Sequence, residues 1–493
     1  MTKGGTLNAI GHFTIGANNG SGSVLVTGSG SSLTNSGSNS PVLAVGGENG
    51  GSGTLTVADG GTVIAQRITL ASTAGSTGTL NYGAYNGSDS NVTLNVGAME
   101  FGAGGTLNLN SSSQTAKIAS SLGSANLGNG IINSLGKGIT TLTGNSSGFS
   151  GQVNISRGST LQFGDGTTSG TALGNATVTN SGTLNFDLNN TGLSTFGGTL
   201  SGNGVLNQSG SLLALTGDNS AFTGAVNISS GSTLQLGNGN GSLGLFGSAA
   251  TVTNGGALNL NFGGNTAVSN QISGSGSVLL NGSGTVTMTG ASYTGTTTVN
   301  GGGLSLGDTG SLLNSSAVTV QNGGTLLLGS RTSSQVSNVT LNNGTLSLGA
   351  SSNRASQTIN SLTLTGNSSI DFANLASGST LTIGTLTMGG KTLNVFDWNG
   401  QPIYGPASST GGGNTHLIVD NASTLSGLDL KNIDFYSGNS TTSTFLGQGA
   451  LGVGNEIVPV PEPGVIISAL MLLGWLLVAN RDSLLAMLRR RSV

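Results

Sequence analysis

Few residues of this chain have the type and spacing that catalysis or metal binding requires. The two histidines, His12 and His416, lie far apart in sequence, and we interpret both as surface or turn residues. The closest acidic pair in the body of the chain, before its C-terminal segment, is Asp429 and Asp434, with Lys431 between them. Cysteine is absent, which excludes thiol catalysis, disulfides and cysteine-based metal sites. We therefore predict that the protein is not an enzyme and that it has no catalytic, cofactor-binding or metal-binding residues.

One enzymatic alternative stays open at this point. Two carboxylates that hydrolyse a glycoside need not be neighbours in sequence, because stacked coils bring residues one coil apart together. An exposed cluster of Asp with Arg or Lys across coils would favour such an enzyme, whereas a smooth polar surface would favour a structural protein.

The composition limits the classes of partner and fold. Only 6% of the 493 residues are charged and the formal net charge is −3, which argues against nucleic-acid binding. Glycine occurs 90 times, but 35% of the residues are hydrophobic and they recur periodically. The main alternative, a disordered Gly/Ser linker, lacks such periodic apolar residues.

The chain repeats itself. Residues 142–165, LTGNSSGFSGQVNISRGSTLQFGD, match residues 215–238 at 16 of 24 positions, and residues 288–308 form a shortened third copy in which Tyr293 replaces the aromatic Phe. The copies start 73 residues apart. A second phrase, ATVTNSGTLNFDL, begins at residue 176 and recurs between the copies. Such an array predicts stacked units rather than separate domains.

The period within each phrase is two. In Thr183–Leu188 the apolar residues Leu184, Phe186 and Leu188 alternate with polar ones, which is typical of a short strand with one buried face. A unit of this size cannot bury its apolar row alone, so the units must stack. The sequence therefore predicts an all-β parallel β-helix solenoid with roughly 20–25 residues per coil. Its apolar rows, including Leu234 and Leu258, should line the interior.

These phrases resemble the autotransporter-associated β-strand repeat, which implies an exported, passenger-type β-helix. Residues 13–33 and 43–63 form a further pair, similar to the repeat shared by type V secretion passengers and PEP-CTERM proteins. Leu393–Gly400 is similar to the segment that closes many PEP-CTERM β-helices. Within it, Trp398 is predicted to plug the last coil, with a sugar-stacking platform as the alternative.

The end of the chain carries three features in order. A V-P-E-P motif is followed by an apolar stretch at residues 464–479, for which we predict one C-terminal transmembrane helix of about 24 Å, and then by a basic cluster. The motif consists of Val460, Pro461, Glu462 and Pro463, and the basic cluster, interpreted as a membrane stop, of Arg489, Arg490 and Arg491. Together they resemble the PEP-CTERM sorting signal of Gram-negative bacteria. The resemblance implies processing by an exosortase-type membrane protease, with the inner membrane as a partner through the C-terminal helix.

The sequence thus divides into four predicted regions. N-terminal coils occupy residues 1–141, the repeat body 142–350, the terminal coils and cap 351–457 with a linker at 400–415, and the sorting signal 458–493. We expect a membrane-anchored precursor in the cell envelope that becomes a structural or adhesive protein of the cell surface or extracellular matrix. Possible partners are exopolysaccharide and other copies of the chain, the latter including amyloid-like fibres. The alternative is a polysaccharide-binding or polysaccharide-degrading β-helix.

Overall fold

The fold is known from a computed structural model. It describes residues 1–83, 92–112, 116–124, 129–167, 171–189, 192–241, 243–329, 333–349, 356–373, 379–400 and 415–461. The chain forms two units, Met1–Thr297 and Thr298–Val493.

The first unit consists of short strands joined by turns. Its N-terminal strands are β1 (Thr6–Ile10), β2 (Phe13–Ile15), β3 (Ser21–Thr27), β4 (Ser32–Ser36), β5 (Val42–Val45), β6 (Ser52–Ala58), β7 (Thr62–Leu70), β8 (Thr77–Gly83), β9 (Thr93–Phe101), β10 (Gly105–Asn110), β11 (Ala116–Ile118), β12 (Ser121–Ser124), β13 (Ile131–Ser134) and β14 (Ile139–Leu142). The repeat body continues with β15 (Gln152–Ile155), β16 (Thr160–Phe163), β17 (Thr177–Asn180), β18 (Thr183–Phe186), β19 (Ser194–Phe196), β20 (Thr199–Ser201), β21 (Val205–Gln208), β22 (Leu212–Leu215), β23 (Ala225–Ile228), β24 (Thr233–Leu236), β25 (Thr251–Asn254), β26 (Ala257–Leu260), β27 (Thr266–Val268), β28 (Gln271–Ser273), β29 (Ser277–Leu280) and β30 (Thr285–Met288).

Most consecutive strands of the first unit lie in different sheets, although β1 and β2 share one sheet with β4 and β5, and strands pair in parallel with strands of neighbouring coils. One sheet runs β3-β6-β8-β10-β13-β15-β17-β20 and another β11-β14-β16-β18-β21-β23-β25-β28. A third contains β1-β4-β7-β5-β2, and there β9 pairs with both β7 and β12. The strands β19-β22-β24-β26-β29 form a further series. This arrangement is a parallel β-solenoid, as the repeats predict.

The alternating residues face inward as expected. Leu184 pairs with Leu161 on one side and Leu206 on the other, and it is 1% exposed. Leu234 pairs with Leu258 in the same way, and these two are 0% and 1% exposed. Identical apolar residues therefore stack in columns, which removes from water the surface that no single coil could bury.

The repeated phrase also explains its aromatic position. Phe149, Phe222 and Tyr293 are all buried, so the aromatic residue is an interior element. Tyr293 has a hydroxyl that the phenylalanines of the other copies lack. This hydroxyl lies 2.6 Å from the Thr297 hydroxyl, and the hydrogen bond between them satisfies the buried polar group. Burial raises the pKa of Tyr293 to about 12, although the Thr297 hydrogen bond acts in the opposite direction.

Buried asparagines brace the corners between strands. Asn180 and Asn254, the last residues of β17 and β25, are 0% exposed. Asn254 Nδ2 donates to the Ser277 carbonyl of the next coil at 2.8 Å, while its Oδ1 accepts from the Gly256 amide at 3.2 Å. Asn180 makes the equivalent bonds. The T-V-T-N phrase is therefore a strand that ends in a corner brace.

The second unit continues with parallel strands and closes with an antiparallel segment. Its strands are β31 (Thr297–Asn300), which begins at the boundary residue, β32 (Gly303–Ser305), β33 (Val318–Gln321), β34 (Thr325–Leu327), β35 (Asn338–Asn342), β36 (Thr345–Ser347), β37 (Ser356–Leu364), β38 (Ser368–Asp371), β39 (Ser379–Thr387), β40 (Leu393–Phe396), β41 (Thr415–Val419), β42 (Ile433–Ser437), β43 (Thr444–Leu451) and β44 (Ile457–Val460). One series runs β33-β35-β37-β39-β41 and another β32-β34-β36-β38-β40-β42. β42, β43 and β44 pair antiparallel, which ends the parallel series on this side.

The predicted fold class has to be corrected on one point, the C-terminal transmembrane helix. In the part of the chain that the structure describes, no helix is long and apolar enough to cross a membrane. Its one α-helix there, α1 (Gly427–Lys431), has 5 residues, and the 3-10 helices Ala422–Thr424 and Val453–Asn455 have 3 each. Five helical residues span only about 8 Å, against a hydrocarbon core of about 30 Å. Residues 464–479, on which the prediction fell, lie outside the described residues, and the fold class supported is the β-solenoid alone.

Candidate functional site

The outer face of the first unit carries a ladder of side-chain amides. Asn81 donates to the Thr56 hydroxyl at 3.1 Å, and Asn108 donates to Asn81 at 2.8 Å. Asn133 and Asn154 continue the row, each donating at 2.9 Å to the amide oxygen of the preceding coil. Each of these residues lies between two inward-facing neighbours of its strand, so strand alternation places it outside.

Two further ladders follow on other strands of the same unit. Asn185, Asn207 and Asn227 form a row that starts at Gln162, with donor–acceptor distances of 3.3, 2.8 and 2.8 Å. The third ladder consists of Gln235, Asn259 and Asn281.

The chemistry of these ladders is uncharged and repetitive. A carboxamide has two N–H donors and two acceptor lone pairs, and the ladder uses one of each per residue. The remaining donor and acceptor recur at the strand spacing of about 4.8 Å on a half-buried side chain. Such a row presents hydrogen-bonding groups to any extended polymer that lies along the stack.

Charged groups are few on the described surface. Arg67 lies 3.3 Å from Glu100, and Lys117 lies 2.6 Å from Asp165. Both pairs are partly exposed to solvent, so each contributes less than about 1 kcal/mol to stability.

The fold gives one histidine a partner that the sequence does not suggest. His12 is exposed between β1 and β2, as predicted for a surface residue. His416 instead lies in β41, where its Nδ1 is 2.8 Å from the carboxylate of Glu456, a residue that is 6% exposed. His416 is therefore a surface residue of a strand, with a side chain that is 29% exposed, and its partner lies 40 positions later in sequence.

The acidic pair seen in the sequence is not the pair that the fold brings together. Asp429 caps helix α1, accepting from the Ser426 amide, and Asp434 lies within β42, where burial raises its carboxyl pKa. The carboxyl groups that do meet belong to Asp371 and Asp397. Desolvation, the charge of Asp371 and the hydrogen bond between the two carboxyl groups raise the pKa of Asp397.

Trp398 occupies the interior. It is 2% exposed and its ring meets Phe372 and Phe435 edge-on, with centroid distances of 5.8 and 4.8 Å. The prediction of an interior plug is confirmed, and the alternative of a sugar-stacking platform is wrong because the ring is not accessible.

The sorting motif is described only at its start. Val460 is the last residue of β44 and is 41% exposed, while Pro461 is buried. Glu462, Pro463 and the basic cluster Arg489, Arg490 and Arg491 lie outside the described residues, as do residues 401–414 of the predicted linker.

Comparison with known proteins adds no assignment. No family model matches the sequence, and no curated protein matches it either. The resemblances to autotransporter-associated repeats and to the PEP-CTERM signal thus rest on the motifs themselves.

Proposed function

We propose that this protein is an exported, non-enzymatic structural or adhesive component of the cell surface or extracellular matrix of a Gram-negative bacterium. In this proposal an exosortase-type protease recognises the segment Val460–Pro463 and processes the chain during export. Exopolysaccharide and other copies of the chain are the expected binding partners.

The outward amide ladders carry the proposal. They combine a stacked parallel fold with rows of uncharged donors and acceptors, such as Asn108, Asn133 and Asn154. A surface of this kind fits adhesion to extended polar polymers, because both the surface and the polymer repeat along one direction. Low charge also limits electrostatic repulsion between copies.

The proposal is tested in the native host with a chromosomally tagged full-length chain. We expect the wild-type protein in the surface and matrix fractions in a shortened form, and loss of cell cohesion when the gene is deleted. Replacing Pro461, Glu462 and Pro463 by alanine should leave the full-length form and deplete the matrix fraction. A matched control replaces Pro402 and Pro406, which lie outside the motif, and should be processed normally.

Three results would contradict the proposal. Wild-type protein confined to the cytosolic fraction would exclude export, and unchanged processing of the alanine variant would exclude the sorting motif. A deletion strain with normal cohesion would exclude the structural role.

A further inference from the structure

A groove of about 650 Å³ opens on the outer face of the first unit. Its volume lies within the range of small-ligand sites, about 300–1,000 Å³. We call it the Arg67 groove, and the residues that matter for its chemistry are Arg67, Thr69, Glu100, Ser121, Gly123 and Asn145.

The groove exists because one row of outward-facing positions, which pair from coil to coil, ends in glycines that carry no side chain. Thr69 pairs with Glu100, and Glu100 pairs with Gly123, so these positions occupy successive coils. Gly123 in turn bridges to Gly148 of the following coil. Two coils that carry side chains are therefore followed by two that carry none, and the step between them forms the hollow. Three strand spacings amount to about 14 Å, which accommodates a short oligosaccharide.

The charges in the groove balance. Arg67 and Glu100 are the only charged residues among the described ones that line it, and they lie 3.3 Å apart with side chains that are 41% and 34% exposed. A guanidinium only donates hydrogen bonds and a carboxylate only accepts them, so the pair offers both kinds of partner side by side. An anionic ligand would meet Glu100 and a cationic ligand would meet Arg67, each with repulsion. A hydroxyl group donates and accepts and carries no charge, so a neutral polyhydroxylated ligand fits the pair best.

Uncharged polar groups complete the walls. The Thr69 hydroxyl is buried and has no hydrogen-bond partner among the described residues. Asn145 Oδ1 accepts from the hydroxyls of Ser147 at 2.7 Å and Thr171 at 2.8 Å, which fixes its carboxamide in the groove wall. A preoriented amide of this kind loses little entropy when it binds a ligand.

We propose that the Arg67 groove binds a neutral oligosaccharide segment of an extracellular polysaccharide. The inference rests on the proposed adhesive function and gives it a chemical class of partner. Arg67 donates to sugar hydroxyls, Glu100 accepts from them, and the floor at Gly123 and Gly148 lets a ring approach the backbone.

The test uses the full chain and affinity electrophoresis in gels that contain a defined polysaccharide. The neutral probes are dextran, β-glucan, xyloglucan and the neutral fraction of the host's own exopolysaccharide, and the charged probes are polygalacturonate and the acidic fraction. Gly123→Gln fills the hollow without a clash, because a Cβ at Gly123 meets nothing within 4 Å. Gly192→Gln is the matched control, since a Cβ there also meets nothing within 4 Å and the residue is exposed away from the groove.

We expect at least one neutral polysaccharide to retard the wild type and Gly192→Gln equally, with at least tenfold weaker binding for Gly123→Gln. Glu100→Gln should weaken neutral binding several-fold and increase retardation by polygalacturonate, because Arg67 then lacks its counter-charge. Thermal unfolding should be the same for all four proteins.

Failure of this inference is distinguishable from failure of the proposed function. Retardation by no neutral probe, or equal retardation of Gly123→Gln and the wild type, would overturn the groove assignment even if the protein reaches the matrix and supports cohesion. Wild-type protein that binds a neutral glycan in a groove-dependent manner but stays in the cytosol would leave the groove assignment intact and overturn the proposed function.

Discussion

Replacing the corner asparagine Asn254 by alanine should destabilise the solenoid far more than replacing an asparagine of the outer ladders. The Asn254 side chain is 0% exposed, and its amide makes two hydrogen bonds, to the Ser277 carbonyl at 2.8 Å and from the Gly256 amide at 3.2 Å. Alanine removes both bonds. A buried polar group left without its partner costs about 1–3 kcal/mol, so the expected loss for two such groups is about 2–6 kcal/mol.

Asn259 is the matched control because it lies on the next strand of the same coil. Its side chain faces outward and is partly exposed, donating to Gln235 at 2.8 Å and accepting from Asn281 at 3.2 Å. Water replaces a lost partner at such a position, so Asn259→Ala should cost less than about 1 kcal/mol. Asn254→Asp sharpens the comparison, since it keeps the acceptor, loses the donor and buries a charge, and it should cost at least as much as alanine.

Native-state hydrogen exchange is the suitable assay, because a repeat array need not unfold in a single two-state step. Amides of β25, β26 and β29 should lose protection in Asn254→Ala, whereas those of β3 and β6 should not, since each coil contacts only its neighbours. Equal protection losses in Asn254→Ala and Asn259→Ala would refute the argument that corner asparagines brace the coils.

Two further predictions concern the interior and the carboxyl pair. Leu234 and Leu236 are 0% and 2% exposed. Replacing both by Asp should abolish cooperative folding of the neighbouring coils, because the double variant buries two unpaired charges. Unchanged thermal unfolding would show that these residues are not interior. The native state holds the proton of Asp397 more tightly than the unfolded chain does, so this site's contribution to the unfolding free energy is full below about pH 4 and falls as pH rises through the raised pKa. Asp397→Asn should therefore flatten the pH dependence of the unfolding free energy and raise its value at pH 7. The expected gain is less than about 1 kcal/mol because the carboxyl pair is partly solvated. Urea unfolding at pH 4 and pH 7 measures this effect, and an unchanged pH dependence would contradict it.

The inward face of each strand could be predicted from sequence because its signal is local. Leu184 and Leu234 are assigned to the interior by their immediate neighbours, and the period of two is a property of the extended backbone itself. The same alternation also distinguishes buried asparagines from exposed ones, which composition alone does not. Asn180 is in phase with buried Val178, whereas Asn185 is in phase with the polar residues of β18. Treating all asparagines as solvent-facing therefore misses the corner braces.

Pairs between coils could not be predicted in this way. His416 meets Glu456 and Asp371 meets Asp397 only because particular turns set the register of the coils. The coils vary in length, and the ladder amides alone are separated by 20 to 27 residues. A one-residue change in such a turn reverses which face a side chain occupies, so small errors in coil length abolish any predicted contact.

The same geometry explains why the candidate binding groove has no sequence motif. Thr69, Glu100, Gly123 and Gly148 occupy one outward row, yet no two of them are close in the chain. In a solenoid a surface site is built from one residue per coil, so its pattern runs across the repeats and not along the strand. Loss of side chains at successive positions of such a row is as informative as a cluster of charges, because it leaves a hollow in an otherwise regular stack. The glycines at 123 and 148 therefore have a different role from those that permit turns with positive φ, such as Gly231 at 81°.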